Sequence, residues 1–240
     1  MFIGKCTWGN HFDGQIDEVR IWNTVRTQSE INRLLYSRTD WNERPDLFEP
    51  GLISYYPFDR TTDKIAKDLM GYHNGALKGT ATPVFGNIIP PPMAKEFDGS
   101  TNYIRIPHSE HEMLASEMSI EAWIKTSTSG WKTILMKGNY GYGFAVDNNK
   151  LAYWVDASGS HCIRSSSSIP NNIWTHVAVV VSLYPDKKLN FYINGKDAGS
   201  STSSTINIRD GNNEDLIISG QGTQCGTSPC NKFKGGACTS

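Results

Sequence analysis

No run of about 18 apolar residues occurs in the sequence, so no segment reads as a membrane-spanning helix. A surplus of either charge is missing as well. With 23 basic residues, 24 acidic residues and a net charge of −1, nothing argues electrostatically for nucleic acid or an anionic membrane as a partner. The opening residues, MFIGKCTWGN, hold neither a basic leader nor an apolar stretch, and no export signal is read from them. Asn-x-Ser/Thr acceptors are absent, so N-glycosylation is silent on secretion. Cysteine is sparse and odd in number: Cys6, Cys162, Cys225, Cys230 and Cys238. CGTSPC at 225–230 lies in a Gly/Ser/Pro loop, and no second ligand pair at short spacing accompanies it as a zinc site would need. A local Cys225–Cys230 disulfide is the preferred reading, with free thiols as the alternative. It leans toward an oxidising compartment.

Glycine, serine, threonine and aromatic residues are plentiful, with 22 Gly, 7 Trp, 10 Tyr and 9 Phe. GQIDEVRIW (14–22) reads as a half-buried strand. Thr27 then stands where a helix cap is needed, with Glu30 completing a capping box and Ile31, Leu34 and Leu35 on one face, which predicts a short helix near 28–37. Residues 38–50 are polar, hold two prolines and form a connector. From Gly51 onward short strands follow one another. They include LISYYPF (52–58), KEFDGSTNYIRIP (95–107), MSIEAWIKT (118–126), YGFAVDNNKLAYWVD (142–156), WTHVAVVVSL (174–183), KLNFYINGKDAG (188–199) and EDLIISG (214–220). Asn148-Asn149 and Asn194-Gly195 suit hairpin turns, because Asn and Gly tolerate positive φ. About ten short strands at even spacing predict an all-β, two-sheet antiparallel sandwich. SSSS (165–168) and GSSTSSTIN (199–207) read as solvated edges or loops. The text of residues 2–14, ending FDG, is echoed at 217–235, ending FKG.

GLISYYPFD, FDGSTNYIRIP, MSIEAWIKT, WTHVAVVV, LNFYINGKDAG and FDGQIDEVRIWN together resemble the successive motifs of the laminin-G-like, concanavalin A-like jelly roll, the sandwich of pentraxins and legume lectins. In that family FDGQIDEVRIWN would come last; here it comes first. The resemblance divides the chain into a terminal strand hairpin and helix (1–37), the connector (38–50), a main jelly roll (51–235) and a tail (236–240). That order of motifs fits a fragment of a tandem array cut through two repeats, or a circular permutant in which strand 14–22 fills the vacancy of the final strand, pairing antiparallel to 52–58; closure within the chain is the favoured reading. Donation of this strand to a neighbouring chain, giving a strand-exchanged oligomer, is the rival, since either arrangement covers the same edges.

The resemblance also sets expectations for function. Retaining glucanases of the superfamily carry Glu-x-Asp-x-x-Glu, whereas GQIDEV here has Gln15 in the first place and only Asp17 and Glu18 after it, which as neighbours on a strand point to opposite faces. Glu121 stands alone in SIEAWIK, and no Gly-x-Ser-x-Gly elbow occurs. A non-enzymatic role follows. His108, Glu110, His111 and Glu112 in PHSEHE read as loop polarity rather than as a metal cluster. The family often holds a structural calcium where first and last strands meet, and the matching residues are Asp17, Asp59 and Asp98, with Gly99 as carbonyl donor. Trp131, Tyr140, Tyr142, Tyr153 and Trp154 fall on strands and loops that form the concave face in relatives, where they would stack on sugar rings while Asn139, Asp147, Asp156 and His161 bond hydroxyls. The expected function is a carbohydrate-binding, lectin-like domain at an extracellular or cell-surface location, with calcium as the expected cofactor. A structural or adhesive protein-interaction repeat is the alternative, and a glycan hydrolase a more distant one.

Overall fold

The alternating segments become strands in the computed structural model, which describes residues 11–35, 49–59, 64–85, 93–108, 110, 114, 116–127, 129–138, 141–154, 162–203, 205–208 and 215–219. In chain order these form β1 (Asp13–Trp22), α1 (Gln28–Leu34), β2 (Leu52–Tyr56), β3 (Ile65–Ala66), β4 (Gly75–Lys78), β5 (Thr82–Phe85), β6 (Met93–Asp98) and β7 (Tyr103–Ile106). There follow β8 (Glu117–Thr126), β9 (Trp131–Lys137), β10 (Gly143–Asp147), β11 (Lys150–Trp154), β12 (Cys162–Ser168), β13 (Thr175–Ser182), β14 (Lys188–Ile193), β15 (Lys196–Thr202) and β16 (Leu216–Ile218). The strands build two antiparallel sheets, the predicted jelly-roll sandwich. One runs β15-β14-β13-β8-β1-β6-β5, with β2 also on β1, and the other β12-β11-β10-β9-β16-β7-β4-β3. More strands form than the ten or so expected, because β3, β4 and β5 are too short for alternation to reveal them.

β1 is the centre of the first sheet. Its second half pairs antiparallel with β2 (Val19–Tyr56, Arg20–Tyr55, Ile21–Ser54), its first half pairs with β6, and β8 lies along its other edge. The expected partnership of 14–22 with 52–58 therefore forms within one chain. Phe12, Ile16, Val19 and Ile21 enter the core between the sheets together with Tyr56, Phe97, Ile120 and Phe144. Each aliphatic side chain buried in this way contributes about 1.5–3 kcal/mol.

Alternation along β1 is interrupted once. Between Asp17 and Arg20 three steps on β1 oppose two on β8, from Trp123 to Glu121, so one residue is extra. Glu18 takes a left-handed φ of 53° there. This β-bulge resets the phase, which is how Ile16 and Val19 both reach the core. The strict alternation expected for Asp17 and Glu18 fails at this point, and both are buried.

The outer face of the first sheet is covered rather than solvated. α1 starts at Thr27 with the predicted capping box: Thr27 Oγ1 accepts from the Glu30 N–H, and Glu30 accepts from the Thr27 N–H at 2.7 Å. Those bonds hold the Glu30 carboxyl below its ordinary range. Ile31 packs on Ala178, Val180 and Tyr192, while Leu34 joins Trp22, Leu52, Tyr55 and Leu69. Glu49 anchors the far side by accepting from Arg26 at 3.0 Å and from Arg33. Gly195 makes the close approach possible, since a Cβ there would sit 1.7 Å from the Asn32 side-chain oxygen, and Gln28 donates to the Gly195 carbonyl at 2.8 Å.

Candidate functional site

Burying one face of the first sheet under α1 encloses a row of polar groups. Tyr55 donates to Glu18 Oε2 at 2.6 Å, Arg20 donates to the same oxygen at 2.6 Å, and the guanidinium lies 4.5 Å from the Tyr55 ring centre. Glu121 meets His176 Nε2 at 3.2 Å with both side chains almost wholly buried, and the His176 ring stands edge-on to Trp123. Trp123 in turn donates to the Leu35 carbonyl at 3.1 Å. Glu18 and Glu121, the carboxylates in strand motifs that a glycan hydrolase would use, are thus enclosed beneath α1.

The residues expected to hold calcium are divided by the fold. Asp98 faces Asp13 across β6 and β1, and Asp13 lies four residues from Asp17, or about 13 Å along the strand. The Asp98 carboxylate closes its own turn, accepting from the N–H groups of Ser100, Thr101 and Asn102 and from the Thr101 hydroxyl. Although burial opposes it, those bonds hold its carboxyl well below the usual range. Gly99 supplies the positive φ of 69° that the turn needs. Asp17 and Asp59 are brought within electrostatic reach of each other. Burial first, then the charges of Glu18 and Asp59, raise the Asp17 carboxyl well above its ordinary value. Among the described residues no group of three His, Cys, Asp or Glu is placed to hold a metal. The four residues do not fit one calcium sphere, which needs six or more oxygens.

Of the aromatic set, Tyr140 lies outside the described residues, as do Asp156, Asn139, His161, His111, Glu112, the Cys225–Cys230 pair and most of the internal echo. Tyr142 and Tyr153 are 0% and 1% exposed and belong to the core between the sheets. The Tyr153 hydroxyl donates to the Asn207 carbonyl at 2.9 Å, and complete burial pushes the phenol up so that it stays neutral. They correct the expected sugar-stacking set: successive strand residues face opposite ways, so Tyr153 and Trp154 cannot line one surface. His108, another residue singled out in the sequence, donates its N–H to Asp215 and places its ring 3.2 Å from the Lys137 ammonium.

Trp131 and Trp154 do come together, on the outer face of the second sheet. Their rings meet edge to face with centroids 5.2 Å apart. Trp154 lies across Gly143, where a Cβ would come within 2.1 Å of its ring. It forms an apolar cluster with Met136, Ala145 and Ile217, and half-buried Trp131 and Tyr103 pack against that cluster. Asp147, directly opposite Trp131, accepts from Arg164 Nε at 2.9 Å and from the Asn148 amide at 2.9 Å. Arg105, two residues beyond Tyr103, pairs with Asp215. Sequence reasoning passed over Tyr103, Arg105 and Arg164. A signal for the first two existed, because they alternate with the core residues Ile104 and Ile106.

With this geometry in view, the likeness to known proteins is informative. Residues 98–232, more than half of the chain, match the sequence profile of a laminin G family described as the concanavalin A-like lectin/glucanases superfamily. The chain belongs to that superfamily. No curated protein sequence matches it. Among solved structures, the binding domain of Paraclostridial Mosquitocidal Protein 1 aligns with a TM-score of 0.51 at 18% identity, over 68% of this chain and 43% of that one. The binding domain of botulinum neurotoxin DC, in complex with rat synaptotagmin II, gives 0.46 at 18% identity over 65% and 41%. Botulinum neurotoxin type C, whose cell entry depends upon interaction with two ganglioside molecules, gives 0.47 at 17% over 66% and 40%. The superfamily member described here spans about two fifths of the length of these chains. At such identities the likeness concerns the fold alone.

Proposed function

We propose that this concanavalin A-like domain is a non-enzymatic recognition module that binds carbohydrate on the outer face of its second sheet. The observation that carries this reading is Trp131, half-buried and fixed edge-on against Trp154, with the Asp147–Arg164 pair beside it. An aromatic ring offers the apolar face of a sugar a platform, and flanking charged groups bond its hydroxyls. Hydrolysis is disfavoured because a retaining or inverting glycosidase needs two carboxylates facing each other across an open cleft. Here Glu18 is bound to Arg20 and Tyr55, Glu121 to His176, and Asp98 to its own turn. The disulfide at Cys162 supports an oxidising, extracellular setting.

The second reading, a protein-interaction repeat, draws on two exposed apolar side chains, Ile173 and Tyr184, 60% and 78% exposed at opposite ends of β13. A glycan array probed with the wild-type chain and with Trp131→Ala separates the two, run with and without EDTA. Binding that Trp131→Ala abolishes and EDTA leaves intact is expected. Silence on every glycan would favour the protein-interaction reading, and binding lost only in EDTA would restore calcium to the mechanism.

A further inference from the structure

The outer face of the second sheet carries its polar and aromatic groups twice over. At one end Trp131 stands beside Asp147–Arg164; at the other Tyr103 stands beside Arg105–Asp215. Both aromatic side chains pack on the same buried cluster around Trp154, so neither needs to be ordered when a ligand arrives. Their separation follows from the register. Arg105 lies opposite Ile217, and Ile217 opposite Met136, so β7 and β9 flank β16 and run in the same direction. With the extra residue of β9 between Leu135 and Thr133 allowed for, that places the two aromatics about 10 Å apart across the sheet and about 7 Å apart along it, or about 12 Å in all. That backbone separation exceeds the width of one sugar ring.

Charge on this face narrows the ligand further. Each arginine is already matched by a carboxylate, the Lys150 ammonium is taken up by the carbonyls of Ser165 and Ser166, and the exposed Lys78, directly opposite Tyr103, adds one positive charge at that end. The ion pairs present fixed donors and acceptors, and the single charge of Lys78 is exposed to solvent, where salt screens it. They suit hydroxyl groups, whereas an anionic ligand would have to displace Asp147 or Asp215 from its arginine.

Resting on the carbohydrate reading above, we infer that the face binds an extended, neutral oligosaccharide, with Trp131 and Tyr103 as two separate half-sites. The test is calorimetric titration of the wild-type chain with neutral gluco-, galacto- and N-acetylglucosamine oligomers of increasing length, beside sulfated and sialylated oligosaccharides. Affinity is expected to rise about tenfold or more as the ligand grows long enough to engage both half-sites, then to level off. Raising salt from about 50 mM to about 500 mM should leave it within about twofold. Tyr103→Leu, which keeps an apolar side chain on the cluster, should remove the gain from length while leaving the affinity of the shortest ligand for the Trp131 half-site unchanged. Equal affinity for short and long ligands, or tighter and steeply salt-dependent binding of sulfated ligands, would overturn the two-half-site inference and leave the lectin reading standing. Failure of every oligosaccharide to bind would overturn both. The length series uses the unaltered chain, so a variant that folds poorly cannot obscure the answer.

Discussion

Arg20→Met probes the polar row beneath α1, where β1 holds the first sheet together. Arg20 and Glu18 are each 1% exposed, and the guanidinium bonds both Glu18 at 2.6 Å and the Tyr55 hydroxyl at 3.2 Å. Methionine keeps most of the volume but leaves the Glu18 carboxylate without its cation. Removing one partner of a buried pair costs about 3–5 kcal/mol, because a charge is left uncompensated where water cannot reach it. For a chain of this size that corresponds to a fall in Tm of about 6–20 °C. Adding Glu18→Gln should return a substantial part of the loss, since no bare charge then remains; Gln keeps the unbranched side chain that the left-handed backbone at 18 tolerates. Urea unfolding of the wild type, both single variants and the double variant closes the cycle. A loss below about 1 kcal/mol for Arg20→Met would refute the reasoning, because exposed ion pairs contribute no more than that.

Two further substitutions test other buried carboxylates. The Asp17 carboxyl is raised above its ordinary value, so the folded chain holds this proton more tightly than the unfolded chain does. Its contribution to stability is whole below the unfolded value of about 4 and is lost as pH rises toward the folded value, by at most about 1.4 kcal/mol per pH unit. Asp17→Asn should therefore gain on the wild type as pH increases from 4; parallel profiles in urea unfolding would contradict this. Asp68 accepts from the N–H groups of Tyr55, Met70, Tyr72 and His73 at 3.0–3.2 Å. Asp68→Ala should cost about 2–4 kcal/mol through the buried donors it orphans, and a loss within about 0.5 kcal/mol, the scale of an ordinary surface change, would count against that role.

The fold was largely legible because its determinants are local. Thr27 and Glu30 announce the start of α1, Asn148, Asn149 and Asn194 sit in positive-φ turns, and the alternation of β8 and β13 carries the core pattern. The place of β1 beside β2 was legible from the order of motifs, since an open slot would leave a strand edge bare. The bulge at Asp17–Arg20 was hidden, because an inserted residue changes phase without changing composition. Polar residues such as Glu18, Arg20, Glu121 and His176 carry no local signal of burial, and only the packing of α1 over them shows it. At the candidate site, Trp131 and Trp154 could be found as aromatic residues on the right strands. Residue type alone groups Tyr142 and Tyr153 with them, whereas period two sets Tyr153 inside, opposite in facing to Trp154.

Tryptophan indole N–H signals give the most direct test of where the ligand sits. In a two-dimensional NMR titration with the best-bound oligosaccharide, the Trp131 and Trp154 signals are expected to move together and saturate with the calorimetric affinity. Those of Trp22 and Trp123, enclosed beneath α1 on the opposite side of the sandwich, should stay still. Saturable binding that leaves Trp131 and Trp154 unmoved would contradict recognition on the second sheet.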